Sequence, residues 1–205
     1  IILVTSDEGF LGELNVLLVN RLIEMRQVQD EIIVLGKQGA DFLSELKVEF
    51  KSFPSPSEKL EFKEFEQFRN ELALRYKKRE MGRVDVIYAR FINLSVQQIE
   101  SETLLPLTPL SSSQKGLSKK EILIEPDLNS VVDEWVRLWL GCRFHQIFWS
   151  SKLAEFAARI MHLEASSQEL NRINQHLKFE YFKYLHGLSD KSIREMSASR
   201  LSRGT

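Results

Sequence analysis

Cysteine is almost absent from this 205-residue chain. The single Cys142 excludes a disulfide framework and a cysteine-rich zinc site, and it fits a reducing compartment. An excess of one charge is also missing. Lys and Arg number 28, Asp and Glu 29, and the formal net charge is −1. No global field therefore draws the chain to nucleic acid or to an anionic membrane. The local cluster Arg75, Lys77, Lys78 and Arg79 reads as the solvated face of a helix. No apolar run approaches the ~20 residues that a membrane-spanning helix needs. The longest, Ile1–Val4 and Ile32–Leu35, are strand-sized, so direct insertion into a bilayer is not expected. No signal peptide is recognisable. The chain opens on Ile1, without a methionine and straight into an apolar run, which points to a fragment or a processed start. Proline is scarce, and none follows Pro126.

What is present is a globular balance, with 43% hydrophobic and 28% charged residues. The first half alternates short apolar runs with amphipathic stretches. Ile1–Val4 is a β-branched run that ends in a turn at Thr5–Gly9. Leu14, Leu17, Leu18, Leu22 and Met25 then follow at helical spacing. Glu31–Gly36 reads as a second strand, Ala40–Leu46 as a short helix, and Val48–Phe53 as an alternating strand closed by Pro54 and Pro56. Glu58–Glu80 is a charged amphipathic helix, with Phe62, Phe65, Phe68, Leu72 and Tyr76 on one face. Arg83–Tyr88 is a strand that runs on through Phe91 and Ile92. Ser95–Leu105 is polar and β-compatible, Ser111–Lys120 is a linker, and Glu121–Glu125 is a last strand. Such alternation predicts an α/β unit with a largely parallel sheet, whose strands are buried on both faces.

From Asp127 the character changes. Its carboxylate is suited to cap a helix that begins there. Apolar residues then recur at steps of three and four: Val132, Trp135, Trp139 and Cys142; Trp149, Leu153, Phe156, Ile160 and Leu163; Leu170, Ile173, Leu177, Tyr181, Tyr184 and Leu188. One helix over this stretch would be about 100 Å long at about 1.5 Å per residue. Such a rod needs a partner helix for its stripe, or it must break into a bundle. The expected organisation is a foot domain over 1–126 and a long helix over 127–205.

Chemistry-bearing patterns are few. The turn Ser6–Gly12 joins a strand to a helix, where phosphate loops sit, but it lacks the Lys-Ser/Thr of a Walker loop and the three-glycine dinucleotide spacing. Asp7 and Glu8 would also repel phosphate. Gly36–Gly39 is a weaker echo of the same pattern. No two of His145, His162, His176 and His186 lie three or four residues apart, so no helical metal pair forms. No Gly-x-Ser-x-Gly elbow occurs. Trp135, Trp139 and Trp149 read as packing residues. Neither a catalytic residue nor a cofactor or metal site is expected.

Several strings, in order, resemble the gamma subunit of F-type ATP synthases. Ser6–Asn15 is similar to that family's Asp-Arg-Gly-Leu-Cys-Gly-Gly-Leu-Asn turn, and Ile33–Leu43 to its Gly-Lys-x-Gly segment. Phe91-Ile92-Asn93 through Leu104-Leu105-Pro106-Leu107 matches without a gap. Glu125-Pro126-Asp127 sits where the family has Tyr-Glu-Pro, and Ala154–Ile160 resembles its Ser-Glu-x-Ala-Ala-Arg-Met. The order and spacing of these strings cover almost the whole chain.

The resemblance implies a Rossmann-like foot flanked in sequence by two long antiparallel helices that form a coiled coil. Only the second helix is present here. It implies a rotor, not an enzyme: a central stalk that carries torque between a membrane c-ring and a ring of alpha and beta subunits, with an epsilon-type subunit on the foot. The stalk is peripheral, on the cytoplasmic, matrix or stromal face of an energy-transducing membrane. Departures occur at Glu8, where the family has Arg, and at Glu13, where it has Gly. In the final helix, Leu185 and His186 replace an Arg-Gln pair and Asp190 replaces a Thr. With Arg194 these residues form the expected contact with the catalytic ring. The departures suggest a specialised gamma subunit. Other readings are a gamma-like adaptor, or a small-molecule-binding α/β domain that uses the Gly9–Gly12 turn.

Overall fold

In a computed structural model, which describes residues 1–53, 62–107, 125 and 127–201, the apolar runs of the first half come together in one five-stranded sheet. β1 (Ile2–Val4) lies at its centre, between β2 (Ile33–Leu35) and β4 (Val84–Asn93). β3 (Lys51–Phe53) pairs with β2, and β5 (Val96–Leu105) pairs with β4, giving the order β3-β2-β1-β4-β5. The pairings among β1, β2, β3 and β4 are parallel, with Ile2 opposite Ile33 and Val86. The β4–β5 pair is antiparallel, with Tyr88 opposite Glu100. The stretch Ser95–Leu105, polar and only β-compatible by composition, is thus a long edge strand. Its outer part meets water, which is why it lacks the continuous apolar run of the central strands.

Successive side chains of each strand point to opposite faces. Ile2, Val4, Ile33, Leu35, Val86 and Tyr88 enter one core, and Leu3, Val34 and Ile87 enter the other. The second core is closed by α1 (Leu14–Met25), through Leu14, Leu18, Val19 and Leu22, and by α2 (Lys37–Glu45), through Leu43. The first core is closed by α3 (Phe62–Lys77), through Leu72, and by the early part of α4 (Leu128–Leu201). The beginning of the charged helix expected from Glu58, the linker at 111–120 and, except for Glu125, the strand expected over 121–125 lie outside the described residues.

Asp127 caps α4 as its side chain predicts. Its carboxylate accepts the Ser130 N–H at 2.8 Å and the Ser130 hydroxyl at 2.6 Å. These bonds hold its pKa below the ordinary carboxylate value. The helix runs unbroken to Leu201.

The chain divides into two units, Ile1–Met161 and His162–Thr205. Within the first, α4 buries a stripe other than the one its spacing of large apolar residues marks: Leu140, Phe144, Ile147, Phe148, Ala154 and Ala158. Over the first unit the domain therefore seats one stripe of the helix itself. Leu140, Phe144, Ile147 and Phe148 join the first core beside Leu72 of α3, and Ala154 and Ala158 join the second. The stripe named from spacing is the outward one. Val132, Trp135, Cys142, Trp149, Leu153, Phe156 and Ile160 are exposed, and only Trp139 among those of the first unit packs partly on the core. In the second unit every described residue from His162 to Ser199 is exposed, including Leu170, Ile173, Leu177, Tyr181, Tyr184 and Leu188.

Candidate functional site

The Ser6–Gly12 turn is held from within. Asn15, buried at the start of α1, donates from Nδ2 to Ser6 Oγ at 2.9 Å, and the Ser6 hydroxyl donates to the Glu8 carbonyl at 2.8 Å. The Asp7 carboxylate accepts the Lys37 N–H at 3.0 Å. Gln38 N–H donates to the Ser6 carbonyl at 3.0 Å, and Gly39 N–H donates to Thr5 Oγ1 at 3.1 Å. The leading N–H groups of α2 are thus already satisfied by this chain's own oxygens. A phosphate cradle needs them free and aimed at a ligand. Gly36–Gly39 is instead a site of close backbone approach. At Gly36, with φ 105°, a Cβ would stand 2.3 Å from the Thr5 carbonyl oxygen, and at Gly39 it would stand 2.5 Å from Thr5 Oγ1.

The same turn reaches α4. Glu8 pairs with Arg159 at 3.1 Å, and Arg159 pairs with Glu155 at 2.9 Å. Lys152 closes the chain on Glu155 at 2.9 Å. Arg159 also lies over the Phe156 ring, 5.8 Å from its centroid. Glu155 is buried, and two cations offset the cost of taking its charge from water. Further along the helix, Arg143 grips Glu102 of β5 through two hydrogen bonds of 2.7 Å. On the neighbouring strand the Tyr88 hydroxyl donates to Glu100 at 3.2 Å. Burial and the nearby carboxylates push its pKa up to about 12. Phe91 N–H donates to Ser150 Oγ at 3.1 Å. The long strands β4 and β5 are therefore bonded to α4 as well as packed on it.

The outward face of α4 is the other prominent feature. Trp135, Leu138, Trp149, Leu153, Phe156 and Ile160 recur on one side of the helix, opposite the stripe that meets the sheet. Contiguous apolar surface of this kind marks a place where another polypeptide packs. Leu185, His186, Asp190 and Arg194 lie on α4 in the second unit, all exposed. His186, Asp190 and Arg194 follow at steps of four, on one face, with Leu185 beside them.

Among the described residues, no group of His, Cys, Asp and Glu is placed to hold a metal ion, and no helix is long and apolar enough to cross a membrane. A cavity of about 650 Å³ opens between α3, the end of β5 and the start of α4, lined in part by Tyr76, Leu105 and Val136. Spacing singled out none of Glu102, Arg143 and Lys152. The partners in the Arg143–Glu102 pair come from remote segments, and no local pattern joins them.

An α/β foot continued into a helix with a second, outward apolar stripe defines a class of protein: one built to pack against other chains along a shaft. A family model described as ATP synthase matches residues 1–184, and the chain belongs to the ATP synthase gamma family. It is 25% identical to the ATP synthase gamma chain of Clostridium beijerinckii, over 95% of this chain and 69% of that protein. It is 28% identical to the gamma chain of Xylella fastidiosa, over 95% and 70%. With the gamma chain of Prosthecochloris aestuarii the shares are 88% and 65%, so the chain spans about two thirds of the length of such relatives. Among solved structures, a chain of the Euglena gracilis mitochondrial ATP synthase (OSCP/F1/c-ring) superposes with a TM-score of 0.72 at 17% identity, over 98% of this chain and 71% of that one. A chain of the Tetrahymena thermophila central stalk and c-ring gives 0.65 at 19%, over 81% and 75%. These structural likenesses carry the fold.

Proposed function

We propose that the chain is the central-stalk subunit of a rotary, ion-translocating ATP synthase, turning between a membrane c-ring and a ring of alpha and beta subunits. It is a shaft and carries no catalytic residue, cofactor or metal. Residues 1–126 serve as the foot, which meets the c-ring and an epsilon-type subunit, and residues 127–205 serve as the shaft helix. Its changing face favours one conformation of each catalytic site in turn, by differential contacts. Leu185, His186, Asp190 and Arg194 face the catalytic ring. The subunit works peripherally, on the cytoplasmic face of the membrane or its matrix or stromal equivalent.

The observation that supports this reading best is α4 itself. One stripe is seated on the sheet while the opposite stripe, from Trp135 to Ile160, stays open to water. A soluble domain acting alone gains nothing from such a face, whereas a helical partner lying along it buries it. The family's antiparallel partner helix is the occupant that fits. The acidic Glu8, in place of the family's arginine, favours a specialised complex over a conventional one.

The test is an affinity pull-down of the protein from its native membranes, with mass spectrometry of the partners. Recovery of alpha, beta and epsilon-type subunits in ring stoichiometry is the expected result. Recovery of no ATPase subunit would leave the family membership intact and remove the shaft function, and the gamma-like adaptor reading would take its place.

A further inference from the structure

Ala154, Ala157 and Ala158 are the last apolar residues of α4 buried in the first unit, and Ile160 is already half exposed. Upstream, Phe144 and Phe148 interlock with the core through large side chains. Alanines allow close approach but offer little relief to resist a helix turning or sliding on its seat. At this end of the contact two polar links cross from the helix to the rest of the first unit: Ser150 Oγ accepts the Phe91 N–H, and Arg159 pairs with Glu8, while Lys152 and Arg159 hold Glu155 within the helix itself.

We propose that Glu8 is a positioning residue: acting through Arg159, it sets the rotational register of α4 on the foot at the last turn of their contact. The inference rests on the rotor reading above. Arg159 Nη2 is held by the buried Glu155 at 2.9 Å, so its guanidinium has a defined place, and the same nitrogen lies 3.1 Å from a Glu8 carboxylate oxygen. Glu8 stands on a turn that Ser6, Asp7 and Asn15 fasten from beneath. The two ends of the clamp are thus anchored independently. An arginine at position 8, as in the family pattern, would face Arg159 with a like charge. This chain has a turn and a helix matched to each other in charge. Glu8 is itself 75% exposed on its side chain, so the pair adds little to folding stability. Its effect is on orientation, and a shaft transmits torque only as far as its seat resists rotation.

The experiment uses the membrane complex that carries the full-length chain, and it measures ATP-driven ion pumping per ATP hydrolysed. Glu8→Gln, which keeps the shape and loses the charge, lowers this ratio by about two- to threefold, the low end of what network residues do to coupling. Glu8→Arg lowers it further, and Glu8→Asp, which keeps the charge, retains part of it. Melting temperature stays within about 2 °C in all three, as expected of a surface pair. Arg21→Gln, which breaks a surface ion pair on α1, leaves the ratio unchanged. A Glu8→Gln complex that pumps as the unaltered one does, or an equal loss in Arg21→Gln, overturns the clamp and leaves the rotor reading standing. A complex with the unaltered chain that hydrolyses ATP without pumping overturns the rotor reading, and this inference with it.

Discussion

Arg143 of α4 holds the Glu102 carboxylate of β5 in a two-pronged grip, with Nε and Nη2 each 2.7 Å from a carboxylate oxygen. Planar two-bond pairing is what a guanidinium offers a carboxylate and a lysine does not. Both side chains are mostly buried, so the pair is screened less than a surface pair. Arg143→Ala therefore costs about 1–2 kcal/mol, and Arg143→Lys recovers only part of it. Urea denaturation of the full chain measures both.

The two stripes of α4 separate by mutation. Phe144 is fully buried, and Phe144→Ala costs about 3–5 kcal/mol in the isolated chain. Trp149 is 46% exposed, and Trp149→Ala changes the stability of the isolated chain by about 0.5 kcal/mol or less. The order reverses for assembly. Trp149→Ala weakens association with the partner that covers the outward stripe, and co-purification from membranes reads that loss.

Gly36→Ala destabilises by about 3 kcal/mol or more, since its φ of 105° disfavours any side chain and its Cβ would meet the Thr5 carbonyl at 2.3 Å. Gly9→Ala is close to neutral, because a Cβ there has nothing within 4 Å. Thermal melts of the two variants, made side by side, test whether backbone approach or a glycine-rich loop as such is what matters.

Glu31 contributes to the acid sensitivity of the first unit. Hydrogen bonds from Arg75 and Lys51 lower its pKa from 4.5 to about 2. The folded value lies below the unfolded one, so its stabilisation is fully present above about pH 4.5 and is lost as pH falls toward 2. Tyr88 acts at the other end. Its folded pKa of about 12 lies above the ordinary 10, so its contribution is present below pH 10 and is lost as pH rises toward 12. Stability measured against pH shows the acid limb flattened in Glu31→Gln and the alkaline limb flattened in Tyr88→Phe.

Leu185, His186, Asp190 and Arg194 are exposed, so alanine at each leaves the fold of the isolated chain unchanged within about 0.5 kcal/mol. If they meet the catalytic ring, Asp190→Ala and Arg194→Ala lower ATP turnover or its coupling in the assembled complex. Equal rates in all four variants would remove them from the interface.

The strands β1, β2 and β4 were legible from composition, since short apolar runs rich in β-branched residues fit a sheet buried on both faces. The start of α4 at Asp127 was legible too, because capping is a local bond between neighbours. The ordered strings from Ser6 to Ile160 pointed to the family. The edge strand β5 was legible only as β-compatible. Its half-exposed pattern takes its meaning from pairing with β4.

Which stripe of α4 faces inward is set by long-range packing alone. Both stripes repeat at helical period and both are apolar, so spacing cannot rank them. The large residues Trp135, Trp149 and Phe156 belong to the outer one. The folded domain took the other, with Leu140, Phe144 and Ile147 in the first core and the small Ala154 and Ala158 in the second. The Glu8–Arg159 and Arg143–Glu102 pairs were hidden for the same reason. Their partners stand far apart along the chain, and no local rule of spacing or propensity links two residues that only folding brings to within 3.1 Å.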